Sequence, residues 1–179
     1  LFSNQVIGNS DFLTGAFPAE YGNALAAVFD VKMRTGNTSR YEHTAQAGVL
    51  GLDFASEGPL SRAKGASYLF NYRYSTLGLL SDLKINKTGQ RIKYQDLSFK
   101  LNFPTEKAGT FSLWGIGGID NTHKDALKAP TDWKTDIDRV NNNWDTYVGT
   151  VGLRHQITAG ERSFVESHLA FSGTDDRIS

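Results

Sequence analysis

The sequence predicts an all-β chain, an antiparallel meander that forms part of a large transmembrane β-barrel. Three observations carry this. Runs of alternating apolar and polar residues recur along most of the chain, and alternation with period 2 marks strands with two unlike faces. The breaks between runs alternate short and long, as do the tight turns at one rim of a barrel and the long loops at the other. Gly and aromatic residues are abundant, with 18 Gly, 11 Phe, 7 Tyr and 3 Trp in 179 residues, and helix signals are few.

Residues 1–40 differ from the rest. Phe17-Pro18-Ala19-Glu20-Tyr21-Gly22-Asn23 is rich in turn formers. The stretch 26–34 then alternates, with Val28, Asp30, Lys32 and Arg34 on one face, and Thr35-Gly36-Asn37 closes it as a turn. From Tyr41 onward the runs are 41–48, 50–58, 66–76, 94–103, 110–120, 144–156 and 163–173. In 66–76, Tyr68, Phe70, Tyr72 and Tyr74 share one face; Ser67, Asn71, Arg73 and Ser75 share the other, where Leu69 is the exception. Leu50, Leu52 and Phe54 oppose Asp53 and Glu57. Leu97, Phe99, Leu101 and Phe103 oppose Ser98, Lys100 and Asn102. Tyr147, Val151 and Leu153 oppose Thr146, Thr150 and Arg154, and Val165, Leu169 and Phe171 oppose Glu166 and His168. The run 110–120 is mixed: Phe111 and Leu113 oppose Ser112, while Trp114 and Ile116 share the Ser112 side. Most runs are about 9 to 11 residues, the length that crosses a bilayer as a tilted strand.

The breaks 59–65, 104–109 and 157–162 are short, whereas 77–93 and 121–143 are long and polar. If the short breaks lie on the periplasmic side, the strand from Ala66 runs outward and 50–58 runs inward. An outward strand must then precede 50–58. This favours 41–48 and 50–58 as a hairpin bent near Gly48 and Gly51, over a single long strand 41–57.

Composition excludes several classes. The 19 basic and 19 acidic residues cancel, so no bulk field draws the chain to nucleic acid or to an anionic surface. No Cys is present, which removes disulfides and Cys-ligated metals. No run approaches the roughly 18 to 20 apolar residues of a membrane helix. The start, Leu1-Phe2-Ser3, has no signal-peptide pattern, and the chain is expected to be a piece of a longer protein.

Residues 11–37 carry a resemblance. They read Asp-Phe-Leu-Thr-Gly-Ala-Phe-Pro-Ala-Glu-Tyr-Gly-Asn from Asp11 and Val-Phe-Asp-Val-Lys-Met-Arg-Thr-Gly-Asn from Val28. This resembles the end of the plug domain of TonB-dependent outer-membrane receptors, in the branch that often carries a carboxypeptidase-regulatory-like domain before the plug. Glu57-Gly58-Pro59-Leu60, Asn71-Tyr72-Arg73-Tyr74 and Tyr94-Gln95-Asp96-Leu97-Ser98-Phe99-Lys100 are similar to that branch's first barrel segments. The resemblance implies the end of a plug over 1–40 and the first roughly seven strands of a closed barrel of about 22 over 41–179. It also implies residence in the outer membrane of a Gram-negative bacterium, a TonB energy-coupling complex as partner and outer-membrane lipid as solvent. The cargo would be a scarce nutrient (glycan, peptide or metal chelate), with a surface lipoprotein as a further partner. Neither a cofactor nor a resident metal is implied.

On that reading Tyr68, Phe70, Tyr72, Tyr74, Leu97, Phe99, Leu101, Val151 and Leu153 face lipid. Asp53, Glu57, Asn71, Arg73, Lys100, Arg154, Glu166 and His168 face the lumen, with Glu20 and Arg34 as plug-side partners. For Arg73 an ion pair between plug and wall is preferred over a bidentate grip on an anionic substrate group. Glu166 and His168, two residues apart on one face, are read as solvated wall rather than as metal ligands. Trp144 suggests the aromatic girdle, and Trp133, in the long loop, is the stacking candidate for a ligand. Asp132, Asp136 and Asp138 do not follow the EF-hand spacing.

Catalysis finds little support. No Gly-x-Ser-x-Gly, His-Glu-x-x-His or P-loop occurs, and Gly115-Ile116-Gly117-Gly118 lacks the spacing of a dinucleotide loop. Three functions therefore compete. The first is energy-coupled uptake through a plugged receptor. The second is a soluble β-sandwich that binds carbohydrate, which requires a second sheet over the Tyr68 face. The third is a passive porin-type barrel, which gives residues 1–40 no role.

Overall fold

A computed structural model describes residues 3–15, 18–22, 26–49, 51–75, 77, 90–127, 129–160 and 162–179 of the chain. Leu50, the Glu20 side chain and most of the 77–93 break lie outside the described residues. The described chain is a short hairpin followed by one antiparallel meander. Strand β1 (Asp11–Thr14) pairs with β2 (Ala27–Asp30). Then come β3 (Glu42–Gly48), β4 (Gly51–Ser61), β5 (Ala66–Ser75), β6 (Gln90–Pro104), β7 (Thr110–Lys124), β8 (Asn142–Thr158) and β9 (Phe164–Ile178). Their order in the sheet is their order in the sequence, each antiparallel to the next.

The hairpin expected between 41–48 and 50–58 is present: Gly48 lies opposite Gly51 and Glu42 opposite Glu57. Other expectations are corrected. The later strands are longer than 9 to 11 residues, with β6, β7 and β9 at 15 and β8 at 17. The extra length is polar. Lys93, Asn121, Asp145 and Arg177 lie side by side across β6 to β9, so no apolar alternation announces it. Pro59 and Leu60 belong to β4 rather than to a turn. The ladder shifts register between Pro59 and Ser61, and such a bulge accommodates a residue that has no N–H to give. The stretch 26–34 is not one strand: after β2 only Met33 pairs again, with Ile7.

Continuous register lets each residue be assigned a face. Arg73, Asp96, Gly118 and Val148 lie in one row, and Tyr72, Leu97, Gly117, Gly149 and Gly173 in another on the opposite face. The Arg73 face is the covered one over β4 to β6 and at Ser112, whereas β9 is exposed on both faces. Ser67, Leu69, Asn71, Ser75, Asp96, Ser98, Lys100 and Ser112 are buried on it, while Tyr72, Tyr74, Leu97, Val151 and Leu153 are exposed on the other. This inverts the arrangement of a water-soluble sheet, whose apolar face is the one that packs.

Glycines on both faces make room for rings. A Cβ on Gly115 would lie 2.6 Å from the Phe99 ring, and one on Gly152 2.5 Å from the Trp114 ring. At the turn before β7, Gly109 has φ 76° and a Cβ there would stand 2.1 Å from the Gln156 carbonyl oxygen, so conformation and space both demand glycine.

Candidate functional site

The buried polar face is covered by the N-terminal segment. Two stretches of that segment run antiparallel. Arg34 N–H donates to the Val6 carbonyl (3.0 Å) and Gly8 N–H to the Lys32 carbonyl (2.7 Å), flanking the Ile7–Met33 bridge. The residues around Arg34 are bound to the sheet. Arg34 forks onto Glu57, Nη1 to Oε2 at 2.7 Å and Nη2 to Oε1 at 2.6 Å, while its Nε donates to the Gln5 carbonyl at 2.6 Å. Glu57 also accepts the Asn37 N–H at 2.8 Å, and Asn37 Nδ2 donates to Glu42 at 3.0 Å. The Glu57 carboxylate holds the Arg34 guanidinium charged, above its ordinary value. Lys100 Nζ donates to the Met33 carbonyl at 2.8 Å, and Ser3 Oγ to Asp53 Oδ2 at 2.7 Å.

Gly36 makes the closest approach. A Cβ there would sit 2.0 Å from the Tyr68 carbonyl oxygen and 3.2 Å from the Leu69 nitrogen. The segment thus crosses β5 backbone to backbone at Leu69. This explains the one apolar residue on the polar face of 66–76. Leu69 and Val6 are both 0 % exposed, so Leu69 belongs to the small apolar core under the segment. Asn71 sits beside it and donates to Asp53 and to the Phe54 carbonyl.

Other expected residues find partners elsewhere. Arg73 does not reach the N-terminal segment: Nε and Nη2 bind Asp96 of the neighbouring strand at 3.0 and 2.9 Å. In place of the plug–wall pair expected of Arg73, the structure has a pair within the sheet, set by the register that places Arg73 opposite Asp96. Glu166 collects Arg154 Nε at 2.7 Å, Gln156 Nε2 at 3.1 Å and His168. Trp144 shares the face of Arg154 by register, which removes it from the outer girdle. Sequence reading missed Asp96, Ser3 and Asn37. Asp96 was detectable, since it stands in the alternation with Ser98 and Lys100; the other two depend on where a loop crosses the sheet.

The long loop is tied by Asp138. It accepts Lys124 Nζ and the backbone N–H groups of Lys134 (2.9 Å) and Thr135 (2.8 Å). These donors hold its carboxyl far below the usual carboxylate range, Lys124 contributing most. Trp133 donates Nε1–H to the Leu127 carbonyl at 2.8 Å, and Arg139 lies over its ring at 5.2 Å. The loop itself thus engages the indole edge and one face of the ring.

The exposed face is banded. From Tyr147 to Ile157 on β8 the outward residues are Tyr147, Gly149, Val151, Leu153, His155 and Ile157. His155 is stacked on Phe111 at 4.3 Å and bonded to the Ala108 carbonyl. Ten residue steps of about 3.4 Å give about 34 Å along the strand, or about 25 Å at a tilt of about 40–45°, the height of a barrel's apolar band. Two rows above the Leu97–Gly117–Gly149–Gly173 row the face turns to Lys93, Asn121, Asp145 and Arg177. The row between holds Tyr74, Gln95, Ile119, Tyr147 and Asp175. Among the described residues no helix is long and apolar enough to cross a membrane, and this says nothing of crossing by strands. No protein-family model, curated protein or solved structure matches the chain.

Proposed function

We propose that the chain is part of a TonB-dependent outer-membrane receptor for energy-coupled uptake of a scarce nutrient, a glycan, a peptide or a metal chelate. Residues 1–40 are the end of its plug, and 41–179 are the first seven strands of its barrel. One observation carries the reading: the sheet exposes a banded apolar face and, over β4 to β6, buries its polar face against the N-terminal segment. Water outside would penalise that choice of faces and lipid outside rewards it. The bidentate Arg34–Glu57 pair and the Gly36 crossing then tie plug to wall. The soluble-sandwich alternative needs a cover for the Tyr68–Tyr74 face, where Tyr72 and Tyr74 are exposed.

Strands β3 and β9 are the sheet's two edges, and further strands of the receptor close the barrel between them. The TonB complex supplies the pull on the plug, and a surface lipoprotein is a fitting partner for bulky cargo. Fractionation tests the location: the full-length protein should leave membranes only with detergent, and recovery in the soluble fraction would sink the reading. Deletion of residues 1–36 tests the plug. A plugged receptor becomes leaky to large antibiotics, whereas a passive pore is unchanged.

A further inference from the structure

The upper part of the polar face holds a notch of about 470 Å³. Its position follows from the register. Gly118 stands between Asp96 and Val148 in one row, and Asp120 between Tyr94 and Thr146 in the next. Gly118 lines the notch together with Arg73, Tyr94, Asp96, Asp120 and Thr146. The contacts of the N-terminal segment with the sheet are to Glu42, Asp53, Glu57, the Tyr68–Leu69 backbone and Lys100, none of which lines the notch.

The lining mixes donors and acceptors. Arg73 spends Nε and Nη2 on Asp96, which leaves Nη1 free of that pair. Asp120 uses Oδ1 to accept the Thr122 hydroxyl at 2.9 Å. Among the described residues its Oδ2, the Tyr94 hydroxyl and the Thr146 hydroxyl have no side-chain hydrogen-bond partner. A concave site with an aromatic ring and a few convergent polar groups is the usual form of a ligand pocket.

The chemistry of the groups selects the ligand class. A cationic ligand would use Asp120 but meet Arg73, and an anionic one would meet Asp120. A hydroxyl both gives and takes a hydrogen bond. It can donate to the carboxylate and accept from the guanidinium, and the C–H face of a sugar ring packs on an aromatic side chain such as Tyr94.

We infer that the Gly118 notch binds one sugar unit of a neutral oligosaccharide, with Asp120 and Arg73 holding its hydroxyls and Tyr94 supporting its ring. This rests on the receptor reading only in making the sugar a cargo; the binding itself does not depend on transport.

The test uses the intact receptor in detergent on an array of plant, fungal and bacterial oligosaccharides, with tetralysine and tetraglutamate peptides as charged controls. Gly118→Leu fills the notch and keeps every polar group; Asp120→Asn keeps the shape and removes the charge. The expected result is binding to a defined set of neutral glycans, abolished by Gly118→Leu and about tenfold weaker in Asp120→Asn, since hydrogen bonds to an ionised acceptor are the strong ones. Tyr147→Phe, on the opposite face, should change nothing. Glycan binding that survives both notch variants overturns the proposal, as does the absence of glycan binding. Selective binding of tetralysine lost in Asp120→Asn overturns the ligand class. These outcomes are separate from the fractionation result, because a protein found outside the membrane can still be tested for the notch.

Discussion

Glu57 is the acceptor on which the N-terminal segment is hung, and replacing it with Gln gives a quantitative test. The carboxylate takes three N–H donors, two from Arg34 and one from Asn37. The amide keeps the shape, but turns an NH₂ toward a donor and removes the charge. An exposed ion pair contributes up to about 1 kcal/mol, while removing one partner of a buried pair costs about 3–5 kcal/mol. The Glu57 side chain is 11 % exposed and that of Arg34 33 %. This pair is therefore intermediate, and about 2 kcal/mol is a fair expectation, or roughly a 30-fold shift in the opening equilibrium. Hydrogen exchange on the intact protein reads that shift at the amides of Asn37 and Arg34. They should exchange about 30-fold faster in Glu57→Gln, with β4 and β5 unchanged. Arg34→Lys should reproduce most of the effect, because an ammonium cannot span both carboxylate oxygens, and the double variant should be little worse than either single one. Exchange within threefold of wild type at Asn37, or an equal rise throughout the sheet, would refute the reasoning.

Gly36→Ala should loosen the segment more than Glu57→Gln does, because its Cβ would fall 2.0 Å from the Tyr68 carbonyl oxygen; proteolysis within residues 33–40 would show it, and wild-type resistance would contradict the crossing. Asp138→Asn should free the 125–141 loop for trypsin at neutral pH while leaving the strands intact. The Asp138 carboxyl is held low, so its contribution is complete above the ordinary carboxylate pKa of about 4 and fades as pH falls below it; loop amides with the same hydrogen-exchange protection at pH 2 and pH 7 would count against this. On the proposed barrel, Gly152→Ala should impair assembly, because its Cβ would meet the Trp114 ring at 2.5 Å; heat-modifiable migration on gels reports it, and normal assembly would show that the ring can move aside. Residues 1–179 expressed alone should aggregate or require detergent, since the meander keeps two strand edges and a bare apolar face; a monodisperse, detergent-free monomer in light scattering would oppose this.

The meander was legible where one face is apolar. Alternation around Tyr68–Tyr74 and Leu97–Phe103 fixed which side chains go together, and Gly48 and Gly51 marked the hairpin. Strand ends were not legible, because above the band both faces are polar and alternation carries no contrast. Arg34 and Glu57 were singled out separately, but their pairing depends on where residues 33–37 cross the sheet. Arg73 was assigned the wrong partner because strand register, which brings Asp96 opposite, cannot be read from one strand alone. Trp144 was misplaced despite legible parity: its distance from Arg154 is an even number of residues, and its identity as Trp outweighed that count. Leu69 carried the most information in proportion to its size, since a single break in an otherwise polar face marked the contact with another segment.

The ladder between residues 6–8 and 32–34 has a mechanical consequence. Its two strands run in opposite directions, and the one that continues to Asn37 is fastened to the sheet through Met33, Arg34 and Asn37. Tension applied from the N-terminal side enters beside the Ser3–Asp53 bond and reaches the rungs one at a time: Val6 to Arg34, then Ile7 to Met33, then Gly8 to Lys32. A ladder loaded from its end opens like a zipper and resists with about one hydrogen bond, roughly 1 kcal/mol, at any moment. The attachments of residues 33–37 to the sheet lie close together and share their load. The chain before Gly8 is thus built to peel away, while the chain after Met33 stays behind as a rail.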